Sequence, residues 1–350
     1  MRPCNFVLGI SVTIALLAGC AGVSPPEPPS GAQQNVAVGA GRPADAVPQW
    51  AAARSWVAPE AKGEDLIYIS DLLGQVVDIY TYGHGNKLVG TLTGFFNPEG
   101  LCVDNAGNVW VTNDTSQGVH QITEYAHGGT SPMQNLINPN GNVNGCSVDQ
   151  KTGDLAVTNF WGPTEGAGGV SIYHHGSGNP TSYTDANIHY YYYCGYDAKG
   201  NLFVDGLDSG SNFGFAEIPR GGKAFKDIAL NQTIYLPGGV QWDGKYMAVG
   251  DQVAVKHNFT STIYQFSISG NVATEVGLTV LTGSKQVAQF WIPKFGRNQK
   301  NPEGTTLIGP NQNGANTLFW SYPAGGSPTK TISGETYPMG ATISLATKQP

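Results

Sequence analysis

One short stretch constrains the fold of this chain more than any other, because variants of it return along the sequence. It is residues 98–113, PEGLCVDNAGNVWVTN. Leu101 and Val103 alternate with smaller residues, and Val109 begins a second run of strand-forming residues. The intervening DNAGN supplies a tight turn that tolerates positive φ. The stretch therefore predicts two antiparallel strands joined by a hairpin.

The spacing of the repeats predicts the architecture. The aspartate that closes the first strand returns in steps of 45, 48 and 46 residues, as Asp104, Asp149, Asp197 and Asp243. This is the period of a four-stranded propeller blade. A third strand ending in a glycine-rich hairpin recurs six times, first at residues 79–85 and last at residues 318–325. We therefore predict an all-β fold, a six-bladed β-propeller.

The two ends of the repeat region are predicted to complete one blade. The chain enters the repeats at residues 66–70, which correspond to a second strand, so the first blade lacks its innermost strand. Residues 338–346 carry the missing pattern. We expect this C-terminal strand to pair with residues 66–70 and close the ring, because an open array would leave strand edges exposed.

Composition agrees with many short strands and excludes one class of partner. Among 350 residues there are 48 glycines and 22 prolines, and only 12% of the chain is charged. The formal net charge is −7, and no cluster of Lys and Arg stands out. Binding to nucleic acid is therefore not expected, because it needs a basic surface.

The N-terminal region predicts export and attachment to a membrane. Residues 1–20 contain Arg2, an apolar run at residues 6–17 and the sequence LAGC, which resembles the cleavage box of bacterial lipoproteins. The apolar run is too short to span a bilayer, which takes about 20 residues. We expect Cys20 to become the lipidated N-terminus, residues 21–60 to form a Pro/Gly/Ala-rich tether, and residues 61–350 to form the propeller. The expected location is the bacterial cell envelope, at the outer membrane or on the periplasmic or extracellular face.

The remaining cysteines of the mature chain are Cys102, Cys146 and Cys194. Their odd number excludes a complete disulfide framework. Each lies in or beside a predicted innermost strand, where a free thiol usually serves as a small buried apolar group. We therefore expect buried free thiols at these positions.

The repeats resemble those of NHL-type six-bladed propellers, a group that includes gluconolactonase-like and streptogramin-lyase-like enzymes. The resemblance covers roughly residues 66–346. Gluconolactonase-like enzymes hold a metal with a Glu at an inner-strand start, an Asn before Gly, a further Asn and an Asp before Gly. Glu99-Gly100 and Asn144-Gly145 are similar to two of these elements. The resemblance thus implies a metal site that includes Glu99 and Asn144, and Asp205, at the end of a second strand, is the third candidate ligand.

Alternation of strand direction brings polar residues to one end of the predicted central channel. The starts of inner strands and the ends of second strands meet there. Oxygen-rich groups at such a mouth suit Ca²⁺, but Asp and Asn at strand ends also bond to nearby backbone groups without any ligand. Both interpretations remain open for the residues concerned. The expected ligand-binding residues at this mouth are Asn113, Asn159, Tyr192, Asp251 and Gln289.

Aromatic residues offer a second kind of surface at the same mouth. The run at residues 190–193, YYYY, with Phe160, Trp161 and Trp291, provides flat amphipathic rings of the kind that sugars and small amphiphiles contact. The alternative is that these rings fill the gaps between blades. The favoured function is a binding module for a small polar ligand or a protein partner. The second candidate is a metal-dependent hydrolase of the gluconolactonase-like kind.

Overall fold

The computed structural model describes residues 54–83, 85–115, 117–293 and 305–346. Internal contacts divide the chain into residues 1–48 and residues 49–350, and every described residue belongs to the second unit. The predicted signal segment, Cys20 and most of the predicted tether lie outside the described residues. In the described part of the chain, no helix combines the length and apolar character needed to cross a membrane.

Twenty-five strands, arranged in six sheets, make up almost all the regular structure of the described residues. In chain order they are β1 (Trp56–Val57), β2 (Leu66–Asp71), β3 (Val76–Thr81), β4 (Leu88–Leu92), β5 (Asn97–Val103), β6 (Val109–Asp114), β7 (His120–Tyr125), β8 (Pro132–Ile137), β9 (Val143–Val148), β10 (Leu155–Trp161), β11 (Ala167–Tyr173), β12 (Thr181–Tyr183), β13 (Tyr190–Tyr196), β14 (Leu202–Leu207), β15 (Phe213–Ile218), β16 (Lys226–Asp227), β17 (Ala229–Leu230), β18 (Pro237–Trp242), β19 (Met247–Ala254), β20 (Thr260–Ser269), β21 (Val272–Val280), β22 (Thr305–Asn311), β23 (Asn316–Tyr322), β24 (Gly325–Ser333) and β25 (Pro338–Ser344).

The sheets are the six blades of a propeller, which confirms the predicted fold. From the inside outward, the blades are β25-β2-β3-β4-β1, β5-β6-β7-β8, β9-β10-β11-β12, β13-β14-β15-β16, β18-β19-β20-β21-β17 and β22-β23-β24. The sixth blade has no regular innermost strand. Its place is taken by residues 287–291, which join β22 through isolated bridges between Val287 and Asn311 and between Trp291 and Ile308.

The ring closes as the sequence predicts. Strand β25 pairs antiparallel with β2, with Ser344 opposite Leu66 and Pro338 opposite Asp71. The carboxylate of Asp71 also accepts hydrogen bonds from the backbone N–H groups of Thr336 and Tyr337, the latter at 2.8 Å. The end of the chain is therefore held in the first blade by a strand ladder and by a side chain.

Each pair of neighbouring blades buries its own apolar cluster, and the described residues contain six such clusters. The cluster between the last and first blades joins Ile308 and Phe319 to Ile67, Ile69 and Ile343. Burying one such aliphatic side chain contributes roughly 1.5–3 kcal/mol. Because no blade has a complete core alone, the stability of each blade depends on both neighbours.

The repeated aspartates have a structural explanation. Asp104 accepts hydrogen bonds from the backbone N–H groups of Ala106 and Asn108, both at 2.8 Å. Asp197 binds Lys199 and Asn201 in the same way, at 2.7 and 2.9 Å. A side chain that accepts from its own turn stabilises the tight hairpin between the first and second strands. The regular spacing of these aspartates in the sequence therefore reflects the regular spacing of the hairpin turns.

Two residues of the predicted tether belong to a blade. Trp56 lies opposite Thr91, and Val57 lies opposite Gly90, so that β1 adds a fifth strand to the outer edge of the first blade. The next backbone N–H, from Ala58, donates to the carbonyl of Val89 at 2.8 Å. A strand of two residues is too short to leave an alternating pattern, which is why the sequence does not reveal it.

The expectation of three free thiols is wrong. Cys102 in β5 and Cys146 in β9 form a disulfide with their Cα atoms 5.7 Å apart, and Cys194 is the free, buried cysteine. The bond links the inner strands of the second and third blades, which are 44 residues apart along the chain. An odd number of cysteines leaves room for one bridge, and only the radial packing of the blades brings these two thiols within reach.

Removing β25 tests the closure. We expect a chain ending at Tyr337 to lose the cooperative unfolding transition of the intact protein, because the first blade would lose its inner strand and two neighbouring clusters would be exposed. Circular dichroism and calorimetry provide the measurement. A chain lacking only residues 347–350 is the matched control and should melt like the intact protein. An unchanged melting temperature after the longer deletion would contradict the closure.

Candidate functional site

The inner strands bulge at one end of the central channel, and these bulges build the mouth of that channel. The ladder slips between Pro98 and Leu101 in β5, and equivalent slips occur in β9, β13 and β18. The backbones of neighbouring inner strands then approach closely. A Cβ atom on Gly100 would lie only 2.5 Å from the carbonyl oxygen of Asn144. Glycine is therefore required at this position by the packing of the blades around the axis.

Hydroxyl groups on the second strands tie these bulges together. Thr112 donates to the carbonyl of Gly100 in its own blade at 3.1 Å, or to that of Asn144 in the next blade at 2.6 Å. Thr158 faces the carbonyls of Gly145 and Tyr192 in the same way, at 3.2 and 2.7 Å. Each hydroxyl therefore lies between the inner strands of two blades. It can donate a hydrogen bond to carbonyl groups that the bulge leaves without a partner in the strand ladder.

Asp205 occupies this hydroxyl position in the fourth blade. The sequence pattern placed it at a strand end with Asn113 and Asn159, but the register puts it one residue earlier, in line with Thr112 and Thr158. Its Oδ1 accepts a hydrogen bond from the Tyr193 N–H at 2.8 Å, as the Thr158 hydroxyl accepts from Gly145. Its Oδ2 is buried without a hydrogen-bond partner in the part of the chain that the structure describes. Burial raises the pKa of Asp205 well above its usual range, which favours the protonated form of the carboxyl group.

The residues at the ends of the second strands mostly bond to backbone. Asn113 accepts from the N–H groups of Phe96 and Asn97, at 2.9 and 3.1 Å. Asp251 accepts from Tyr235 and Leu236, both at 3.1 Å. Asn311, which was not predicted from the sequence, holds the same position in the sixth blade and accepts from Lys285 and Gln286. The pattern that could have revealed it is the alignment of residues 307–311 with the second strands of the other blades.

Asn159 differs from the other strand-end residues in its partners. Its carbonyl oxygen accepts from the Asn138 side chain at 2.6 Å, and its amide nitrogen donates to the Ser171 hydroxyl at 3.0 Å. Ser171 in turn donates to Asn138 at 2.8 Å. All three side chains are buried. Asn159 therefore orders the loop that leads into β9 through a closed network of side chains.

Glu99 is an ionisable group at the channel mouth. Its side chain is half-buried and accepts no hydrogen bond from the described residues. Desolvation, and secondarily the charge of Asp114, raises the pKa of Glu99 well above its usual range. The neighbouring Asn144 is buried, and its amide nitrogen donates to the backbone carbonyl of Tyr192.

These contacts do not fit the predicted calcium site. A Ca²⁺ ion takes six to eight oxygen ligands, whereas Asn144 ties two inner strands together and Asp205 replaces a hydroxyl within the blade. Within the described ranges, no group of three or more His, Cys, Asp or Glu side chains is arranged to hold a metal ion.

Gln289 bonds to the backbone of another inner strand. Its side chain reaches from the sixth blade to the second, where it accepts from the Leu101 N–H at 2.9 Å and donates to the Leu101 carbonyl at 2.7 Å. Trp291 lies with Trp242 around a small cavity of about 40 Å³ toward the other end of the inner strands. That volume holds about three water molecules. Trp291 is therefore not part of the surface predicted at residues 190–193.

Three aromatic rings of the third and fourth blades do come together, and we call Phe160, Trp161 and Tyr190 the aromatic platform. The rings of Phe160 and Tyr190 stack with centroids 5.3 Å apart and planes at 29°, and Trp161 lies 5.2 Å from Phe160. All three are half-buried. Tyr192 packs its edge against Phe160 at 5.0 Å and is itself fully buried. The inner tyrosines therefore fill the core, whereas the platform keeps part of its surface exposed.

A cleft adjoins the platform between the third and fourth blades, and we call it the interblade cleft. It has a volume of about 280 Å³ and is lined by Ala167, residues 185–189, Asp208 and Ser209. Two contacts connect it to the platform. The His189 ring lies 4.5 Å from the Tyr190 ring, and Ala167 pairs with Trp161 in the ladder of β10 and β11. The cleft therefore lies next to the platform.

The pH dependence of the melting temperature tests the role of Asp205 at the position that Thr112 and Thr158 occupy in other blades. The folded protein keeps its proton over a pH range in which the unfolded chain, with an Asp pKa of about 3.9, releases it. The stability contributed by the neutral form is complete below about pH 3.9 and is lost as pH rises through the folded pKa. Asp205→Asn keeps an acceptor for Tyr193 and cannot ionise. We expect it to melt several degrees above the wild type at pH 8–9, since about 1 kcal/mol moves the Tm of a domain of this size by about 2–4 °C.

The controls separate this effect from a general change in charge. Asp205→Thr introduces the side chain of the second and third blades and should also remove the alkaline loss. Asp208→Asn, in the same blade, should not stabilise at alkaline pH, because hydrogen bonds from Asn212 lower the pKa of Asp208. A lower melting temperature for Asp205→Asn at every pH would show that the ionised carboxylate is the native form.

Comparison with solved structures agrees with the fold. A crystal structure of a nidogen/laminin complex superposes with a TM-score of 0.62 at 12% identity, covering 81% of this chain and 99% of the other. A protein of unknown function from Bacteroides caccae superposes with a TM-score of 0.57 at 13% identity, covering 80% and 98%. No family model and no curated protein matches the sequence. These similarities support the propeller fold alone.

Proposed function

We propose that this protein is an exported, lipid-anchored propeller that acts as a binding module for a small polar ligand or a protein partner. The observation that carries the proposal is the half-buried aromatic platform beside a cleft of about 280 Å³. Ligand sites combine exposed aromatic surface with a few polar groups on a rigid frame. Here the frame is a closed ring of blades, and the loops at one end of it carry the surface.

The aromatic platform is held in place by backbone contacts. The Phe160 N–H donates to the carbonyl of Asn142 at 2.8 Å, and the Asn142 N–H donates to the carbonyl of Trp161 at 3.1 Å. On the other side of the cleft, the carbonyl of His189 accepts from the Gly168 N–H at 2.8 Å. A surface ordered before the ligand arrives loses less conformational entropy on binding. The rigidity of this face therefore favours a binding role.

Export is supported by two independent features. The first is the N-terminal segment with its LAGC sequence at residues 17–20. The second is the disulfide between Cys102 and Cys146, because such bonds persist in oxidising compartments and are rare in the cytosol. Both favour a location in the cell envelope, with the propeller held at the membrane by the tether.

Replacing the proposed lipid-bearing residue tests the anchor. We expect Cys20→Ser to move the protein from the membrane to the soluble fraction, since each buried methylene of an acyl chain contributes about 0.8 kcal/mol of membrane affinity. Fractionation with an antibody against the propeller gives the readout. Cys4→Ser is the matched control and should remain in the membrane fraction. Tight membrane association of the Cys20→Ser variant would contradict the proposed lipid anchor.

The contacts of the channel residues favour binding over hydrolysis. A metal-dependent lactonase of the gluconolactonase-like kind needs a fixed ion and a titratable base. Of the three residues in that hypothesis, Asn144 and Asp205 bond to the backbone of residues 192 and 193. Only Glu99 keeps a side chain without a hydrogen-bond partner among the described residues. The superposed nidogen structure is a complex with laminin, and a protein partner is the second kind of ligand in our proposal.

Calcium titration of the purified protein discriminates between the two functions. We expect Ca²⁺ to leave the melting temperature unchanged and a panel of lactones to remain intact. Glu99→Gln should fold and melt like the wild type or higher, because it preserves the neutral form that burial favours. Glu60→Gln, at an exposed position, is the matched control. Stoichiometric Ca²⁺ that stabilises the wild type but not Glu99→Gln, together with lactone turnover, would replace binding with hydrolysis.

A further inference from the structure

The chemistry of the interblade cleft narrows the kind of ligand that this face can take. Among the described residues, its titratable lining consists of Asp185, His189 and Asp208, with neither lysine nor arginine. The carboxylate of Asp208 is occupied by its own turn, which includes the N–H groups of Gly210 and Asn212 at 2.8 Å. An anionic ligand such as a phosphate or a carboxylate would meet like charge with no compensating cation. The cleft therefore favours neutral or cationic ligands.

The geometry of the aromatic platform argues against a cation. An aromatic cage for an ammonium group needs ring faces that surround an open space, with the cation within about 6 Å of each centroid. Here the Phe160 ring packs against other rings instead. Its centroid lies 5.3 Å from that of the stacked Tyr190 ring and 5.2 Å from that of Trp161. The rings pack against one another and enclose no space. They form a surface on which a flat apolar face can rest.

Polar groups at the edge of this surface can recognise hydroxyl groups. Asp185 uses Oδ1 to accept from the Asn187 N–H at 2.7 Å, while its Oδ2 has no hydrogen bond to the described residues. The hydroxyl of Ser209 and the imidazole of His189 also line the cleft, and neither side chain makes a hydrogen bond within the described ranges. A neutral molecule with several hydroxyl groups would find an acceptor at Asp185 and groups that both donate and accept at Ser209 and His189.

We infer that the interblade cleft and the aromatic platform together bind a neutral saccharide. This inference rests on the proposed binding function and specifies its ligand. A pyranose ring has an apolar face of C–H groups, whose weak positive charge suits the negative face of an aromatic ring such as that of the half-buried Trp161. Its equatorial hydroxyl groups point outward from the ring, toward Asp185, His189 and Ser209 in the cleft. The volume of about 280 Å³ accommodates one or two sugar units, and further units extend over the platform.

Titration of the mature protein with neutral oligosaccharides tests this inference. The probes are hexose and N-acetylhexosamine oligomers of two to six units, measured by calorimetry and by tryptophan fluorescence. We expect at least one series to bind, with affinity that rises with chain length as more of the platform is covered. Trp161→Ala should weaken binding by at least about tenfold, which corresponds to about 1.4 kcal/mol. Asp185→Asn should weaken it too, since the amide can still accept from Asn187 but loses the charged acceptor.

Controls and contrary outcomes keep this test separate from that of the binding function. Trp56→Ala removes an exposed tryptophan on the outer edge of the first blade and should bind like the wild type. Melting curves establish that each variant folds. The inference is overturned if no oligosaccharide binds at up to about 10 mM, or if binding survives both Trp161→Ala and Asp185→Asn. Photo-crosslinking of a protein through a probe at position 190, with no oligosaccharide binding, would overturn the saccharide while leaving the binding function in place.

Discussion

The pairing of β25 with β2 is the constraint on which the rest of the structure depends. It turns six repeats with unfinished cores into a ring in which every blade has two neighbours. Each apolar cluster lies between two blades, so an open array would expose part of a cluster at both ends. Closure also fixes the curvature of the ring and with it the distance between inner strands at the axis. The bulges, the closely packed glycines and the disulfide all lie where neighbouring inner strands approach one another.

The axis of this propeller is used mainly to hold the blades together. Hydroxyl groups at Thr112 and Thr158 bond to the carbonyls of adjacent inner strands, and the carboxyl group of Asp205 takes their place in the fourth blade, where it accepts from the Tyr193 N–H. Gln289 spans the channel to the backbone of Leu101. Polar residues converging on an axis thus resemble a ligand site in sequence, whereas in the fold most of their hydrogen bonds are already made. The burial of these groups explains the raised pKa values of Glu99 and Asp205.

The surface available for recognition lies off the axis, where the third and fourth blades meet. The loops there are ordered by backbone bonds between blades, such as that from Gly168 to His189. Because the strands beneath are rigid, the rings of Phe160, Trp161 and Tyr190 are presented in one arrangement. This separates two roles within one tyrosine run. Tyr191, Tyr192 and Tyr193 are buried and stabilise the fold, while Tyr190 and the adjacent His189 remain half-buried at the edge of the cleft.

The sequence by itself determined the number of blades, the closing strand and the turns, because these follow from local rules. Strand alternation and turn residues such as Asp104 and Asp197 depend on neighbours a few positions away, and their period is visible in the letters. Only the tertiary structure decided which distant residues meet. The bridge between Cys102 and Cys146, the span from Gln289 to Leu101 and the union of Trp161 with Tyr190 depend on how blades rotate about a common axis. Asp205 follows Asp197 by eight positions, as Thr112 follows Asp104, so a stricter alignment of the turns would have placed it at the hydroxyl position. Only the tertiary structure decided that this position lies beside the bulged inner strands of two blades, because a bulge frees backbone groups from the ladder without leaving a mark on the residue that bonds to them.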